Sequence, residues 1–341
     1  MIKRAQGGVM KNKYNFGALL IFSLSFILIS CKGGGEHQVK DNPVVKTNHI
    51  PAPEFNADSA YNNIKTQVAF GPRVLSTTAH DNCEKYFTEK LKALTTDVVL
   101  QRTEVTTFDG KRHRIVNIIA SFYPEIANRV LLCSHWDTRP FADQDSVRKK
   151  EPIDGAIDGG SGCGILLEIA RLLQKNKPNI GVDIILLDAE DYGQPEDSLY
   201  PPQQNTYGLG SQYWSTNLHK PGYFANYGIL LDMVGAKGSS FTMEGFSMQY
   251  ASAIVKKVWD IGSRLGYSDY FQYTNTNSIY DDHYYINPNT HIPTIDINDY
   301  AVKTKSHFGA YWHTHQDNME MVDTKTLKAV GQTLMEVLFS E

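Results

Sequence analysis

Histidine and acidic residues occur in this sequence at positions that favour metal chemistry. The stretch AYWHTHQDN, residues 310–318, places His313 and His315 one residue apart. Three apolar runs upstream also end in ionisable side chains, namely His135 with Asp137, then Asp188 with Glu190 and Asp191, and finally Asp232. Carboxylates packed together repel one another unless a cation, shared protons or hydrogen bonds compensate their charge. If these residues meet in the fold, a bound metal is the simplest explanation.

Two further acidic motifs could join that cluster. Asp158 lies in GAIDGGSGCG, where a glycine-rich loop opens a helix, and Asp281 and Asp282 lie in YDDHYY. Aspartate is also favoured as a helix N-cap, so Asp158 taken alone fits a cap and a ligand equally well. A single acid after a strand is usually a turn residue. The number of such positions, all in one chain order at the ends of apolar runs, is what favours a functional cluster.

The elements that must position these residues include strands buried on both faces. RVLLCS, VDIILLD and YGILLDMVG are short continuous apolar runs of the type found in such strands. Two other segments, residues 97–108 and 114–122, have strand-like composition and are expected to pair. Open α/β sheets bind ligands outside the carboxyl ends of their strands. The ionisable residues that follow the three runs are therefore expected to converge on one crevice.

Helical segments alternate with those strands. Apolar side chains recur at helical spacing in residues 79–94, 162–175, 207–218 and 247–266. Alternation of this kind predicts an α/β fold, a single domain with a central, mostly parallel mixed sheet covered by helices on both faces. Residues 58–341 contain no repeat and no second linker, so they are assigned to one catalytic domain.

Composition narrows the class of protein. The chain has 341 residues with a formal net charge of -4, which is typical of a globular protein with a large core and makes nucleic acid an unexpected partner. No oligomeric state is predicted. Beyond Cys31 only Cys83, Cys133 and Cys163 remain, so at most one disulfide can form.

The first 57 residues have the features of an export signal and a tether. Lysine and arginine residues precede the apolar run FGALLIFSLSFILIS, which is short for a membrane span but suits a secretory signal. The run ends in LISC, which resembles a bacterial lipobox, so Cys31 is the expected lipidation site; the alternative is a non-lipidated signal. Residues 1–30 are thus predicted to be a signal peptide and residues 31–57 a tether. The expected product is an exported bacterial lipoprotein, anchored in a membrane and facing the periplasm.

The order of the motifs points to a known family. SHWD, GAIDGGSG, DAEDYG, LLDMVG, DDH and WHTHQDN, in that order over residues 60–340, resemble the zinc aminopeptidase superfamily. Within it, WHT, DN, DDH and EDSLYP resemble the animal-type, zinc-dependent glutaminyl cyclases. The resemblance implies a glutaminyl-peptide cyclotransferase, which converts the N-terminal glutamine of peptides and proteins to pyroglutamate with release of ammonia.

The resemblance also implies a role for individual residues. Asp158, Asp191 and His313 would bind one Zn²⁺ per chain and leave a fourth position open, as in catalytic zinc sites. His315 is the less favoured alternative to His313. The zinc would act as a Lewis acid and Glu190 as a proton shuttle. The remaining residues assigned to the site are Asp232 and Asp282 in a shared-proton network, and Trp312 and Phe308 in the substrate pocket, unless these two aromatics are plain core.

The sequence departs from the animal pattern in three places. Asp191 stands where the animal enzymes usually have glutamate, and residues 192–207 lack the tryptophan that lines their pocket. Cys163 matches one half of their disulfide, but Cys133 lies one residue before the other position. One residue of offset turns a strand side chain to the opposite face, so this bond is not expected here.

Two other functions remain open at this point. In the two-metal aminopeptidases, the equivalents of His135 and Asp232 bind a second zinc that Asp158 bridges, and both residues are present here. A lipid-anchored two-zinc aminopeptidase is therefore the main alternative. A binding protein that kept the fold and lost its chemistry is disfavoured because Asp158, Glu190, Asp191 and His313 are intact.

Overall fold

Six of the chain's strands form one mixed sheet, and helices cover both of its faces. The computed structural model describes residues 50–301, 304 and 306–341. The strands in that part of the chain are β1 (Asp97–Thr106), β2 (Arg112–Phe122), β3 (Arg129–His135), β4 (Gly181–Leu187), β5 (Tyr227–Asp232), β6 (Phe241–Met243), β7 (Phe271–Asn275) and β8 (Thr294–Asn298). The helices are α1 (Ala57–Val68), α2 (Thr78–Lys92), α3 (Gly160–Lys175), α4 (Leu209–Thr216), α5 (Gly245–Arg264), α6 (Asp282–Thr290) and α7 (Thr324–Phe339).

The main sheet is parallel over most of its width. Its strand order is β1-β2-β4-β3-β5-β8, in which β4, β3, β5 and β8 run parallel and β2 is antiparallel to both of its neighbours. Strands β6 and β7 form a separate parallel pair. The predicted fold class is confirmed, and so is the predicted pairing of β1 with β2.

Side chains of the central strands alternate between two apolar layers. Ile118, Leu132 and Ile184 face the larger core, which also contains apolar residues of α3 and α7. Ile119, Leu131 and Ile185 face the opposite layer, where Trp214 of α4 and Ile286 of α6 pack. This alternation follows from the two-residue period of a strand. Burial on both faces explains why these strands have nearly continuous apolar sequences.

The two layers also separate the cysteines. Cys133 packs in the layer of α4 and α6, whereas Cys163 packs in the larger core. Cys83, Cys133 and Cys163 are all free and buried. The animal-type disulfide is thus missing from the described chain, for the reason that the strand register predicted.

The folded domain starts earlier than the sequence predicted. Phe55, which was assigned to the tether, is only 1% exposed. Its ring packs against α7 at Gly331, where any side chain would collide with it. Cys31, the predicted signal peptide and most of the predicted tether lie outside the described residues. Among the residues that are described, no helix is both long and apolar enough to cross a membrane.

A buried ion pair stabilises the end of the sheet that lies away from the strands' carboxyl ends. Arg129 Nε and one terminal nitrogen donate to the two carboxylate oxygens of Asp183 at 2.7 and 2.8 Å. Arg129 also donates to the backbone carbonyl oxygens of Phe122, Tyr123 and Ile126.

Removing Asp183 should therefore leave a buried, uncompensated guanidinium. We expect Asp183→Ala to lower the free energy of unfolding by about 3–5 kcal/mol, measured by denaturant titration. Asp97→Ala is a matched control because the Asp97–Lys220 pair is considerably more exposed, and it should cost about 0–1 kcal/mol. Equal losses in the two variants would contradict this assignment.

Candidate functional site

Three predicted metal ligands meet at the carboxyl edge of the sheet. Asp158 precedes α3, Asp191 follows β4 and His313 lies in the segment before α7. His313 Nε2 is 3.3 Å from Asp191 Oδ1 and 3.9 Å from Asp158 Oδ2. One ligand atom from each residue lies within 4.8 Å of the others, and all three side chains are buried. The fold thus brings His313 to two aspartates that precede it by more than 100 positions in the sequence.

This donor set suits a metal ion. The second carboxylate oxygen of Asp191 is buried and has no hydrogen-bond partner in the described chain. Burial and the nearby charge of Asp158 raise the pKa of Asp191 to about 6, so the pair repels without a cation. Imidazole nitrogen and carboxylate oxygen are both zinc ligands, and catalytic zinc sites have three protein ligands with a fourth position left open. The site therefore fits a divalent metal of the zinc type.

Two further aspartates fix the backbone that carries these ligands. Asp137 accepts hydrogen bonds from the backbone amides of Glu190 at 2.9 Å and Asp191 at 3.1 Å. Asp317 does the same for the amides of Ile157 at 2.6 Å and Asp158 at 3.1 Å. Asp137 was expected in the crevice itself, but its carboxylate is used to position the neighbouring loop.

Asp188 was also expected in the crevice and lies elsewhere. Its carboxylate accepts a 2.7 Å hydrogen bond from the Val116 amide and lies 2.9 Å from His80 Nε2. The contacts join β4 to β2 and to α2. Asp188 is therefore a structural residue behind the site.

His313 and His315 have different environments. His313 Nδ1 lies 3.2 Å from Asp143 Oδ1, and Asp143 also accepts a hydrogen bond from Arg139 Nε at 2.5 Å. A carboxylate on the outer nitrogen of a histidine fixes its orientation and tautomer for metal binding. His315 Nδ1 instead lies 2.8 Å from Asp145, and His315 is not among the three clustered donors.

A cavity of about 350 Å³ opens next to the three donors. Its wall includes Asp158, Asp191 and His313 together with the carboxylates of Glu190, Asp232 and Asp281. Burial raises the pKa of Glu190 well above its usual value, and nearby Asp281 and Asp191 raise it further. Burial and Asp158 likewise raise the pKa of Asp232. The cavity thus combines a metal-type donor set with carboxylates that hold protons more strongly than usual.

Of the two adjacent aspartates in the DDH motif, Asp281 faces this cavity. Asp281 is also the N-cap of α6. Burial, Asp232 and Asp282 raise the pKa of Asp281 well above its usual value. Asp282, which the sequence interpretation placed in the network, is fully buried and does not line the cavity. The reason is local, because Asp282 begins the helix and its side chain turns into the interior.

A second group of possible ligands adjoins the first. His135 Nε2 lies 3.0 Å from Asp158 Oδ1 and 3.2 Å from Asp232 Oδ1. Burial would lower the pKa of His135, but hydrogen bonding to Asp137, Asp158 and Asp232 raises it well above its usual value. His135 Nε2 lies between the two aspartates, within reach of both.

Aromatic residues form part of the remaining wall. Trp312 and Phe308 line the cavity, with ring centroids 4.7 Å apart, and Trp312 stacks on His313 at 3.7 Å. From the segment 192–207, which lacks the animal tryptophan, Tyr207 lines the cavity. Arg139 lies over the Tyr207 ring, 5.3 Å from its centroid.

Three site positions have a backbone conformation that non-glycine residues rarely adopt. The φ angles are 56° at Ala189, 51° at Met233 and 54° at His313. Ala189 precedes Glu190, and Met233 follows Asp232. Such conformations persist only where surrounding contacts enforce them, and they concentrate at functional sites.

Two residues that position the site without lining its cavity, Asp143 and Glu244, were not predicted from the sequence. Asp143 lay in a polar stretch with no distinguishing signal. Glu244 caps α5 and accepts hydrogen bonds from the Ile279 amide at 2.7 Å and from His283 Nε2 at 3.1 Å. Burial would raise the pKa of Glu244, but His283 and two backbone amides lower it to about 2. Glu244 thereby fixes the segment that carries Asp281. His283, the histidine of the DDH motif, was the sequence feature that could have indicated this contact.

A comparison with known proteins identifies relatives over most of this chain. The family model described as Peptidase family M28 matches residues 117–338. The glutaminyl-peptide cyclotransferase of Gloydius blomhoffii is 26% identical in an alignment 249 residues long that covers 64% of this chain. The matched region spans 63% of that relative's own length.

Solved structures match a larger share of this chain than that sequence relative does. The structure of Tannerella forsythia glutaminyl cyclase is 48% identical, with a TM-score of 0.83, and the match covers 85% of this chain and all of that one. A structure described as a Zn-dependent exopeptidase from Parabacteroides distasonis is 47% identical, with a TM-score of 0.84 and the same coverage. The relatives thus include proteins described as cyclases and as exopeptidases.

Proposed function

This chain belongs to peptidase family M28, and on that premise we propose that it is a glutaminyl-peptide cyclotransferase. The substrate would be a peptide or protein with N-terminal glutamine, and the products pyroglutamate and ammonia. The observation that carries this proposal is the cavity in which Glu190, Asp232 and Asp281 face a metal-type donor set. The similarity to the Tannerella forsythia cyclase supports it.

Glu190 is proposed to move the proton. Cyclisation requires that the α-amine attacks the side-chain carboxamide, so one proton leaves the amine and one is needed by the departing ammonia. An α-amine has a reference pKa of about 7.7–8.0, so a weak base suffices near neutral pH. A buried carboxylate with a raised pKa can accept that proton and then return it to the leaving group.

Asp232 and Asp281 are proposed to hold the amine and orient Glu190. Both line the cavity beside Glu190, and Asn298 donates to Asp232 Oδ2 at 3.1 Å. Asp281 thus takes the part that sequence analysis gave to Asp282. Trp312 and Phe308 would pack on the methylene groups of glutamine and favour its folded conformation, which is a proximity contribution.

The metal in this proposal is one Zn²⁺ per chain, held by Asp158, Asp191 and His313. When bound, it supplies a Lewis acid for the carboxamide oxygen. His135 would remain protonated and occupy the space between Asp158 and Asp232. In this proposal, His135 takes the place that a second metal ion would have beside Asp158 and Asp232.

The two-zinc aminopeptidase is the second candidate because His135, Asp158 and Asp232 also form a possible metal group. The two functions differ in products, since a cyclase releases ammonia and an aminopeptidase releases a free amino acid. The test is to incubate purified protein with a Gln-initiated and an Ala-initiated peptide of otherwise identical sequence. We expect ammonia from the first and no reaction with the second. Free alanine from the second peptide would favour the aminopeptidase.

We also propose that the mature protein is a periplasm-facing lipoprotein anchored through Cys31. The proposal is based on LISC after a short apolar run. Because stable anchoring needs more than one acyl chain, the multiple chains of a bacterial lipoprotein are required. We expect the wild type in the membrane fraction and Cys31→Ser in the soluble fraction of fractionated cells. A membrane-bound Cys31→Ser variant would contradict this proposal.

A further inference from the structure

A second cavity adjoins the catalytic cavity. Its volume is about 560 Å³, and it lies between the segment that follows β4 and the start of α6. Tyr207 and Tyr280 line both cavities, so the two cavities adjoin at these side chains. We refer to the second cavity, bounded by residues 194–207 and by Tyr280, Tyr284 and Tyr285, as the tyrosine groove.

We propose that the tyrosine groove binds the residues that follow the N-terminal glutamine, and that it favours peptides with apolar or aromatic side chains there. This inference rests on the proposed function and extends it to substrate selection. The catalytic cavity, at about 350 Å³, is lined by the groups that would hold the glutamine and its amine. The rest of a peptide must leave that cavity, and the groove is the cavity that adjoins it at Tyr207 and Tyr280.

Five tyrosines give the groove aromatic surface for an apolar partner, beside amide and hydroxyl side chains such as Gln204 and Thr206. Tyr280 is 67% exposed and Tyr200 is 48% exposed, which is unusual for neighbouring large aromatic residues. Tyr280 packs edge-on against Tyr284 at 4.7 Å, and Tyr200 packs edge-on against Phe108 at 5.6 Å. Rings fixed in this way lose little conformational freedom when they contact a ligand. Among the described residues that line the groove, Glu196 is the one charged side chain.

The loop that forms one wall is held in shape before any peptide binds. The Gln194 side chain donates to the carbonyl oxygens of Tyr200 and Pro201, both at 3.1 Å, and accepts from the Gln203 amide at 2.8 Å. Gln203 in turn donates to the Phe108 carbonyl oxygen at 2.7 Å. A preorganised wall lowers the entropic cost of binding an extended chain.

The test compares a substrate that reaches the groove with one that does not. Glutaminamide ends at the catalytic cavity, whereas Gln-Phe-Ala and Gln-Gly-Ala extend beyond it. For wild type we expect a higher kcat/KM with Gln-Phe-Ala than with Gln-Gly-Ala. Tyr200→Ala should lower kcat/KM for Gln-Phe-Ala roughly threefold to tenfold, through KM, because one aromatic contact is lost. It should leave glutaminamide turnover unchanged, and Tyr200→Phe should behave as wild type.

Phe224→Ala is the matched control, because Phe224 is a similarly exposed aromatic residue located before β5, at the opposite end of that strand from the site. It should change none of these values. The groove proposal would be overturned if Tyr200→Ala lowered kcat/KM equally for glutaminamide and Gln-Phe-Ala, or lowered it for neither. If wild type releases ammonia from none of the three substrates, the cyclase proposal fails, and calorimetric binding of Gln-Phe-Ala to wild type and Tyr200→Ala still decides the groove.

Discussion

Replacing Glu190 with glutamine should lower turnover of a Gln-initiated peptide roughly 10²–10⁴-fold, the usual cost of losing a general acid–base. The substitution keeps the shape of the side chain and removes its ability to accept a proton. The Glu190 backbone amide donates to Asp137, and this contact does not depend on the side chain. Folding, metal content and KM should therefore stay near the wild-type values while kcat falls.

Glu320→Gln provides the matched control, since Glu320 is exposed and is not among the residues that line the cavity. It should have wild-type kinetics. The Glu190 assignment would be wrong if Glu190→Gln retained most of its turnover, or if its activity loss were explained by loss of bound metal.

Removing His313 should abolish both metal binding and activity. His313→Ala leaves Asp158 and Asp191 without their neutral nitrogen partner, and the two carboxylates repel each other once the cation is lost. Metal analysis of the purified variant should find almost no zinc, whereas the wild type should retain about one ion per chain.

His315→Ala is the control for this variant. His315 contacts Asp145 rather than the donor cluster, so its loss should leave metal content and turnover nearly unchanged. Retention of zinc by His313→Ala together with loss of zinc from His315→Ala would contradict the ligand assignment. Two tightly held ions in the wild type, both required for turnover, would favour the aminopeptidase.

The central strands could be predicted because strands that are buried on both faces have continuous apolar sequences. β3, β4 and β5 are apolar along their length since both faces are covered, and the ionisable residues that follow them lie at the carboxyl edge of a mostly parallel sheet. The topology alone therefore brings His135, Asp191 and Asp232 close together. Their shared position was predictable, although their individual roles came from the resemblance of the motifs.

Other features depend on tertiary contacts that have no local signature. α6 contains Pro288, a residue that normally interrupts a helix, so the pattern gave no reason to expect one there. Without the start of α6, the orientations of Asp281 and Asp282 could not be distinguished. Asp143 likewise acquires its role only when a loop brings it to His313. The strand ends mark the general location of the site, but the direction of each side chain is set by packing.

The most direct test of the central claim is the mass of a Gln-initiated peptide after incubation with the purified protein in water labelled with heavy oxygen. Intramolecular attack by the α-amine incorporates no water, so the account predicts that the peptide loses one ammonia, stays whole and carries no label. Hydrolysis leaves heavy oxygen in a product, either in a glutamate formed from the glutamine or in a released amino acid. A labelled product of either kind, formed at the rate of substrate loss, would contradict the account.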